Sequence, residues 1–571
     1  MIPKRYWCNL SDSNHKHFQV RQKIQTYLTI LFLILNLAPL YSQDFYGSET
    51  RQNWLAVADA NKPKLVETVK RATSIVSISP DASAFQGFKA IQTGKTETIF
   101  SGSFKKQSGA VLDFGEHCTG YFTFEVKTIN SVADAPLRFK FTFGEVASEV
   151  AVPFDPYTGG LSRAWLQDEI VTVMELPAKI TIPRRLAFRY VKIELLGSSP
   201  YFDFALSDAF VTATTSAMQK PADLNSDTSK IISEIDKIGL ATLKECMQTV
   251  FEDGPKRDRR LWIGDVYLQA QASTYSFRQH DLTKRCLYLL AALSQKDGFL
   301  HSNVFESPQP HAQEGSPFLF DYALLYNVLL KDYLEATRDT KTAQDLWPVA
   351  KRQMDNIEKY LDRNGLFDAD KAAKNGWWLF IDWNDKLDRQ ASLQGVMIFS
   401  MKQTLELAKS LHKENEVKQL SELISKMNKA AISKLYDKKS GLFKSGSSKQ
   451  ISYASQSWLV LAKILPTKDA QKTLLNLQKE KNAIKPGGPY LYHYYVQALI
   501  DSGLQNEARK VVTEYWGGMV KKGADTFWEV YDPNDEKLSP YGFYPINSYC
   551  HAWSCTPVYF IRKYPEIFQK K

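Results

Sequence analysis

Four carboxylates, four cations and one tryptophan crowd into fifteen residues: Phe251-Glu252-Asp253-Gly254-Pro255-Lys256-Arg257-Asp258-Arg259-Arg260-Leu261-Trp262-Ile263-Gly264-Asp265. Clustered acids of this kind can do general acid–base work, because neighbours push their pKa values apart. At Asp258, the charges of Asp253 and Asp265 would raise the pKa, and Arg257 and Arg259 would lower it. Gly254-Pro255 forces a turn, since proline fixes φ and glycine tolerates conformations other residues avoid. From Asp265 onward Val266, Leu268, Ala272, Tyr275 and Phe277 recur at roughly helical spacing. The acids therefore sit on a loop that feeds a helix. Asp265 lies near the helix start, where unpaired N–H groups and the helix dipole favour a carboxylate. A solvated, salt-bridged helix entry is the competing reading, but clustered acids and a Trp on a loop fit a site better.

Other candidates lie far along the chain. Glu529 stands in Gly523-Ala524-Asp525-Thr526-Phe527-Trp528-Glu529-Val530-Tyr531-Asp532. Asp382 stands in Asn375-Gly376-Trp377-Trp378-Leu379-Phe380-Ile381-Asp382-Trp383. Aromatic faces pack against the C–H face of a pyranose while carboxylates bond its hydroxyls, so Asp382 and Trp383 suit a sugar site. His551, in Tyr549-Cys550-His551-Ala552-Trp553, reads equally as a core histidine or as a substrate contact. His301, His311 and Glu314 follow Leu300 on a Pro-containing loop and would form a rim. With His493 they make no metal-ligand spacing, so neither a metal nor a cofactor is expected.

The segments Asp253-Gly-Pro-Lys-Arg-Asp258 and Trp262-Ile-Gly-Asp265 together resemble the catalytic-loop signature of glycoside hydrolase family 78, the α-L-rhamnosidases. That signature carries one acid, a second five residues on, and a third seven further on after Trp-x-Gly, here Asp253, Asp258 and Asp265. The resemblance implies that Asp258 is the general acid, a position usually held by Glu, whose carboxyl reaches one methylene further. The Thr526-Phe-Trp-Glu529 segment is similar to the family's late Thr-x-Trp-Glu, which implies that Glu529 is the general base. Substrate-binding roles follow for Asp253, Trp262, Asp265, Asp382, Trp383 and His551. Family members commonly add a small β-domain at the C-terminus; the chain reaches Lys571 soon after the 548–564 segment, and that module is expected to be lacking.

The elements that must position these residues change character once. Residues 44–90 read as a mixed, partly helical lead-in. From about Thr96 to Val211, segments such as Tyr121-Phe-Thr-Phe-Glu-Val and Leu137-Arg-Phe-Lys-Phe-Thr-Phe alternate with period two between turn residues. An antiparallel β-sandwich follows from that pattern, and Asp113-Phe-Gly, Gly120-Tyr-Phe and Phe188-Arg-Tyr-Val resemble the family's jelly-roll-like module. Beyond Lys220-Pro221 the pattern predicts helices over 231–247, 282–294, 322–336, 341–362, 391–412, 414–436, 452–465, 468–479, 491–502 and 505–520. Asp297-Gly-Phe-Leu, Asn364-Gly-Leu-Phe and Ser440-Gly-Leu-Phe recur between helices. Repeated hairpins of that size suggest an (α/α)6 toroid. The expected domains are a β-sandwich with its lead-in over 44–219 and a catalytic toroid over 220–571.

At 571 residues, 44% of them apolar and 13% aromatic, the chain can bury more than one large core. A formal charge of +10 is mild for this length, and no basic run is interleaved with aromatics, so a nucleic-acid partner is not expected. The apolar run Tyr27–Leu40 follows Arg21 and Lys23 and is short for a membrane span. With Pro39 and Ser42 it reads as a signal peptide over 1–43, giving a secreted or periplasmic protein without stable membrane insertion after cleavage; an uncleaved anchor is the alternative. Six cysteines, Cys8 in the leader, make no disulfide scaffold; Cys550 and Cys555 are expected to pack rather than bond. Nothing in the sequence specifies an oligomeric state. The reading is an exo-acting, inverting glycosidase that removes terminal α-L-rhamnose from an oligosaccharide or glycoside. Its rivals are the same toroid acting on another deoxysugar or a uronic acid, and a catalytically silent glycan-binding protein.

Overall fold

The structure, a computed structural model, describes residues 44–313, 315 and 318–570. The expected leader and Glu314 lie outside these residues.

Nine antiparallel strands build the N-terminal domain: β1 (Val66–Arg71), β2 (Ser74–Pro80), β3 (Phe88–Gly94), β4 (Gly109–Ile129), β5 (Leu137–Gly144), β6 (Asp168–Val173), β7 (Ala178–Thr181), β8 (Leu186–Gly197) and β9 (Asp203–Thr215). Hydrogen-bonded order runs β1-β9-β4-β8-β5-β6, with the β2–β3 hairpin and β7 attached to β4. The first part of β4 pairs with β2 and β8 and the second with β9 and β7, and its register slips between Asp113 and Cys118. This lets one long strand serve both layers of the sandwich. Alternation does the rest: Leu137, Phe139, Phe141 and Phe143 on β5 are buried every second residue. They meet Phe122, Phe124 and Phe188 in an aromatic core, with Phe124 and Phe141 centroids 4.6 Å apart.

Two features differ from expectation. The lead-in contains three strands, β1 to β3. Almost every residue of β1 is exposed, so that strand has no apolar face for alternation to reveal. The lead-in helix Ser48–Ala60, expected to travel with the β-domain, packs on the toroid instead. Trp54 and Ala58 join the toroid core, Arg51 Nη1 donates to Ala292 O at 2.9 Å, and Arg285 Nη1 donates to Ala58 O at 2.6 Å.

The helical domain is a double ring. The inner helices are Ile263–Thr274, Phe320–Thr337, Gln390–Ser410, Tyr453–Leu461, Pro489–Asp501 and Pro557–Lys563. Outside them lie Lys230–Cys246, His280–Ala292, Thr340–Met354, Gln419–Ala430, Thr467–Lys479 and Gln505–Lys521. Packing of Gln505–Lys521 on Lys230–Cys246, and of Pro557–Lys563 on Ile263–Thr274, closes the rings. The recurrent Gly motifs are turns. Gly298, Gly365 and Gly441 take φ of +87°, +90° and +71°, where a Cβ would be strained. Two residues on, the N–H groups of Leu300, Phe367 and Phe443 donate to the side-chain oxygens of Gln353, Gln394 and Gln456 at 3.2, 2.8 and 2.7 Å. A glutamine clamp thus fixes each connection to a ring helix.

Candidate active site

The acid-rich loop runs from the end of Lys230–Cys246 to the start of Ile263–Thr274. Gln269, on the inner helix, donates to Glu252 O at 2.9 Å, and Ala552 N–H donates to Asp253 O at 2.7 Å. Inside the loop the two Asp253 oxygens accept the N–H groups of Arg260 at 3.0 Å and Asp258 at 3.1 Å. Asp253 lines the cavity, but its hydrogen bonds organise the loop. Burial first, then the charge of Asp258, pushes its pKa up to about 7.

Asp258 is the more open acid, its side chain 16% accessible. Arg257 Nη1 lies 3.3 Å from Oδ1 and Arg260 Nη1 lies 3.7 Å from Oδ2. Arg259, expected beside Asp258, turns away, with Nε donating to Pro255 O and Nη2 to Arg185 O. Arg260 takes its place.

Glu529 arrives from the opposite end of the sequence and is buried. Oε1 accepts the Tyr541 hydroxyl at 2.5 Å; Oε2 accepts Ser548 N–H at 3.1 Å and pairs with Arg257 Nη2. One guanidinium thus bridges Asp258 and Glu529, and it also lies 4.4 Å from the Tyr541 ring centroid. Burial alone would raise the Glu529 pKa. Arg257, with His551 and the hydrogen bonds, outweighs it and brings the pKa down to about 2.

Asp265 occupies the first turn of its helix and is buried, with Tyr322 Oη 3.5 Å from Oδ2 and His551 Nδ1 3.8 Å from Oδ1. Burial, then the charges of Asp253 and Glu529, holds its pKa well above the usual carboxylate range. His551 is buried against Trp553, ring centroids 4.2 Å apart, and burial lowers its pKa to about 4, so the imidazole is neutral. Trp262 ends a two-residue strand paired with Asn303–Val304 and stands edge-on to Tyr322.

Asp258, Glu529 and Trp383 all line one cavity of about 210 Å³, with Asp253, Trp262, Asp265 and His551. A larger groove of about 620 Å³ runs along Tyr453, Tyr492 and Lys510, but none of the candidate acids lines it. Asp382, expected as a sugar contact, precedes Trp383 in the chain, and its Oδ1 is buried with no hydrogen-bond partner in the protein. It is buried and accepts Gly487 N–H at 2.6 Å through Oδ2. It shapes the turn that presents Trp383. Burial raises its pKa to about 7. His311 stacks on Phe305 away from the cavity.

Sequence reasoning gave no role to Tyr541, Trp553, Tyr322 and Phe380, which line the cavity with Trp378 of the 375–383 loop, or to Leu161, which the β-domain contributes. Leu161 belongs to a segment whose Gly160 N–H donates to Tyr541 O at 2.8 Å. No spacing links residue 161 to residue 541, so only the folded chain reveals the contact. Among the described residues no group of His, Cys, Asp and Glu could hold a metal ion, and no helix is long and apolar enough to cross a membrane. The five described cysteines are free; Cys550 Sγ lies 4.0 Å from Cys246 Sγ.

A helical double ring with two carboxylates on one aromatic-walled cavity defines a six-hairpin glycosidase. Comparison with known families is specific. The profile described as the glycosyl hydrolase family 78 alpha-rhamnosidase N-terminal domain matches residues 72–213, and that of the bacterial alpha-L-rhamnosidase 6 hairpin glycosidase domain matches 225–564. The chain belongs to glycoside hydrolase family 78 and is an α-L-rhamnosidase-like hydrolase. It is 40% identical to a rhamnosidase from Klebsiella oxytoca solved with rhamnose bound, at TM-score 0.86 over 90% of this chain and 99% of that one. A family 78 rhamnosidase of Bacillus sp. GL1 (18% identity, TM-score 0.66, 79% of this chain and 46% of that one) shares the fold. So does an α-L-rhamnosidase of Streptomyces avermitilis complexed with L-rhamnose (15%, 0.63, 88% and 44%). Comparison with curated protein sequences found no match.

Proposed function

We propose that this protein is an exo-acting, inverting α-L-rhamnosidase in which Asp258 protonates the leaving oxygen and Glu529 activates the attacking water. The observation that carries this reading is the placing of both carboxylates on one aromatic-walled cavity, on separate arms of the Arg257 guanidinium. A pair spaced by a guanidinium suits the inverting route, which needs about 6.5–9.5 Å between carboxyls, better than the shorter retaining span of about 5–5.5 Å. Glu529 is ionised at neutral pH and so is the partner fit to accept a proton, which leaves Asp258, on the other arm of Arg257, for the donor role.

Cavity size supports exo action. About 210 Å³ is small beside the roughly 300–1,000 Å³ of pockets for larger ligands and suits one sugar ring. The polar lining supports a polyol. Asp265 Oδ1, His551 Nδ1 and Trp383 Nε1 are buried with no hydrogen-bond partner in the protein. Such atoms cost about 1–3 kcal/mol each when unmatched, and sugar hydroxyls would match them. The relative with rhamnose bound supports a rhamnose-bearing oligosaccharide or glycoside as substrate. The apolar run Tyr27–Leu40 supports export to the periplasm or medium, which fractionation of the native host would test.

The functional test is turnover of aryl α-L-rhamnosides against other aryl glycosides, with Glu529→Gln beside wild type. Wild type should turn over the rhamnoside. The variant should lose on the order of 10²–10⁴-fold in kcat, the usual worth of acid–base catalysis, and keep rhamnose affinity. Rhamnose binding without turnover of any rhamnoside would make the chain a glycan-binding protein instead.

A further inference from the structure

Lys256 lies two residues before Asp258, is 1% exposed, and reaches out of the toroid into the β-domain. Its Nζ lies 2.7 Å from Glu149 Oε1 and 3.0 Å from Glu145 Oε2. Both carboxylates belong to the segment after β5. Each is itself fixed: Glu149 Oε2 accepts the N–H groups of Glu145 at 2.6 Å and Val146 at 3.2 Å, and Glu145 Oε1 sits 3.1 Å from His117 Nε2. The same ammonium donates to Asn547 O and, at 3.4 Å, to Pro545 O. Glu145 Oε2 also accepts Tyr549 N–H at 2.6 Å.

Residues 545–549 are the segment that holds the other catalytic carboxylate. Ser548 N–H donates to Glu529 Oε2 at 3.1 Å, Ser548 Oγ donates to Arg257 O at 3.0 Å, and Arg257 Nε donates to Ile546 O at 3.2 Å. One buried cation therefore ties the Asp258 loop, the backbone that holds Glu529, and two β-domain carboxylates into a single node. An ordinary domain seam would not need a desolvated lysine shared by both sides of the reaction. Removing it would leave buried carboxylates without their cation.

We infer that Lys256, gripped by Glu145 and Glu149, is a positioning residue that sets Asp258 against Glu529, which makes the β-domain part of the catalytic apparatus. The inference rests on the reading of Asp258 as proton donor. A misplacement of about 1 Å can cost on the order of 10²-fold in rate, and a misplaced donor is felt most where the leaving group needs protonation.

The test compares Lys256→Met, Glu149→Gln and Asp258→Asn with wild type on an alkyl α-L-rhamnoside and on an aryl α-L-rhamnoside with an acidic phenol. Folding is checked by circular dichroism, and kcat is expressed per folded protein. Lys256→Met should lose roughly 10- to 100-fold on the alkyl substrate and only a few-fold on the activated one. Glu149→Gln keeps the Glu145–Lys256 pair, so it remains foldable, and should show the same selectivity at smaller size. If Lys256→Met does not fold, Glu149→Gln carries the comparison. Equal losses on both substrates, or a lowered melting temperature with unchanged kcat, would overturn the inference. The Asp258→Asn arm separates the two readings. Selective loss there without it in the other variants sinks only the positioning role; no selectivity in Asp258→Asn sinks the donor assignment and the inference with it.

Discussion

Arg257 carries the electrostatics of the site, because one guanidinium serves two acids. Without it Glu529 would keep its burial and lose its principal cation, so its pKa would climb from about 2. Arg257→Met should therefore move the acidic limb of the kcat/KM–pH profile upward by at least one pH unit, and an unmoved limb would contradict Glu529 as the group titrating there. The wild-type Glu529 pairing is a depressed-pKa contribution to stability. It is fully present above the unfolded carboxylate value and lost as pH falls through about 2. Asp382 has the opposite sign. Its folded pKa is raised to about 7 by burial, so its contribution is full below the unfolded value near 4 and is lost as pH rises through about 7. Asp382→Asn keeps an acceptor for Gly487 N–H. Its unfolding free energy should gain on wild type by on the order of a few kcal/mol between pH 4 and 8, measured by denaturant titration. A difference independent of pH would show that Asp382 does not titrate there. The acids of the loop were legible because type and spacing survive in sequence. Type and spacing do not place Asp382, because an Asp beside Trp looks the same whether it faces the sugar or the turn behind it. Tyr541, in the short loop before residue 544, carried no motif at all.

Among the elements, the helices were legible and their ends less so. Inner helices such as Phe320–Thr337 and Gln390–Ser410 are buried on most faces, so they read as long apolar stretches. The helix expected over 341–362 stops at Met354, and that over 414–436 begins in earnest at Gln419. Pro557–Lys563, the last inner helix, is seven residues long and gave too little periodicity to find. β1 lacked an apolar face. The Gly-x-x turns were visible as a repeat, yet the glutamines that clamp them were not, since nothing in a sequence pairs Gln456 with Phe443. Gln456 Oε1 accepts Phe443 N–H at 2.7 Å, and its Nε2 donates to Phe443 O at 2.8 Å. Gln456→Leu leaves both backbone groups buried and unpaired, at about 1–3 kcal/mol each. Chemical denaturation should show a loss of roughly 2–5 kcal/mol; a loss under about 0.5 kcal/mol, the level of an ordinary surface change, would mean that the clamp is dispensable.

At the scale of the molecule, the sequence predicted two domains that meet near residue 220, and the structure joins them through buried charge. Arg185 pairs with Glu252 at 2.6 Å, and Gln86 Nε2 donates to the Tyr549 hydroxyl at 2.7 Å, beside the Lys256 node. That seam was illegible because each partner lies some seventy to several hundred residues from the other. A chain beginning at Lys220 would expose it and would also lose the Ser48–Ala60 helix. Such a chain should show no sharp thermal transition and no rhamnosidase activity, and a soluble, cooperatively melting, active toroid would contradict the joined architecture. The central claim is that Asp258 and Glu529 act across one sugar ring with water entering opposite the leaving group. The most direct measurement is proton NMR of an aryl α-L-rhamnoside during the first minutes of hydrolysis, before mutarotation equilibrates the product. The account predicts that β-L-rhamnose appears first and α-L-rhamnose only later; α-L-rhamnose as the first product would contradict it.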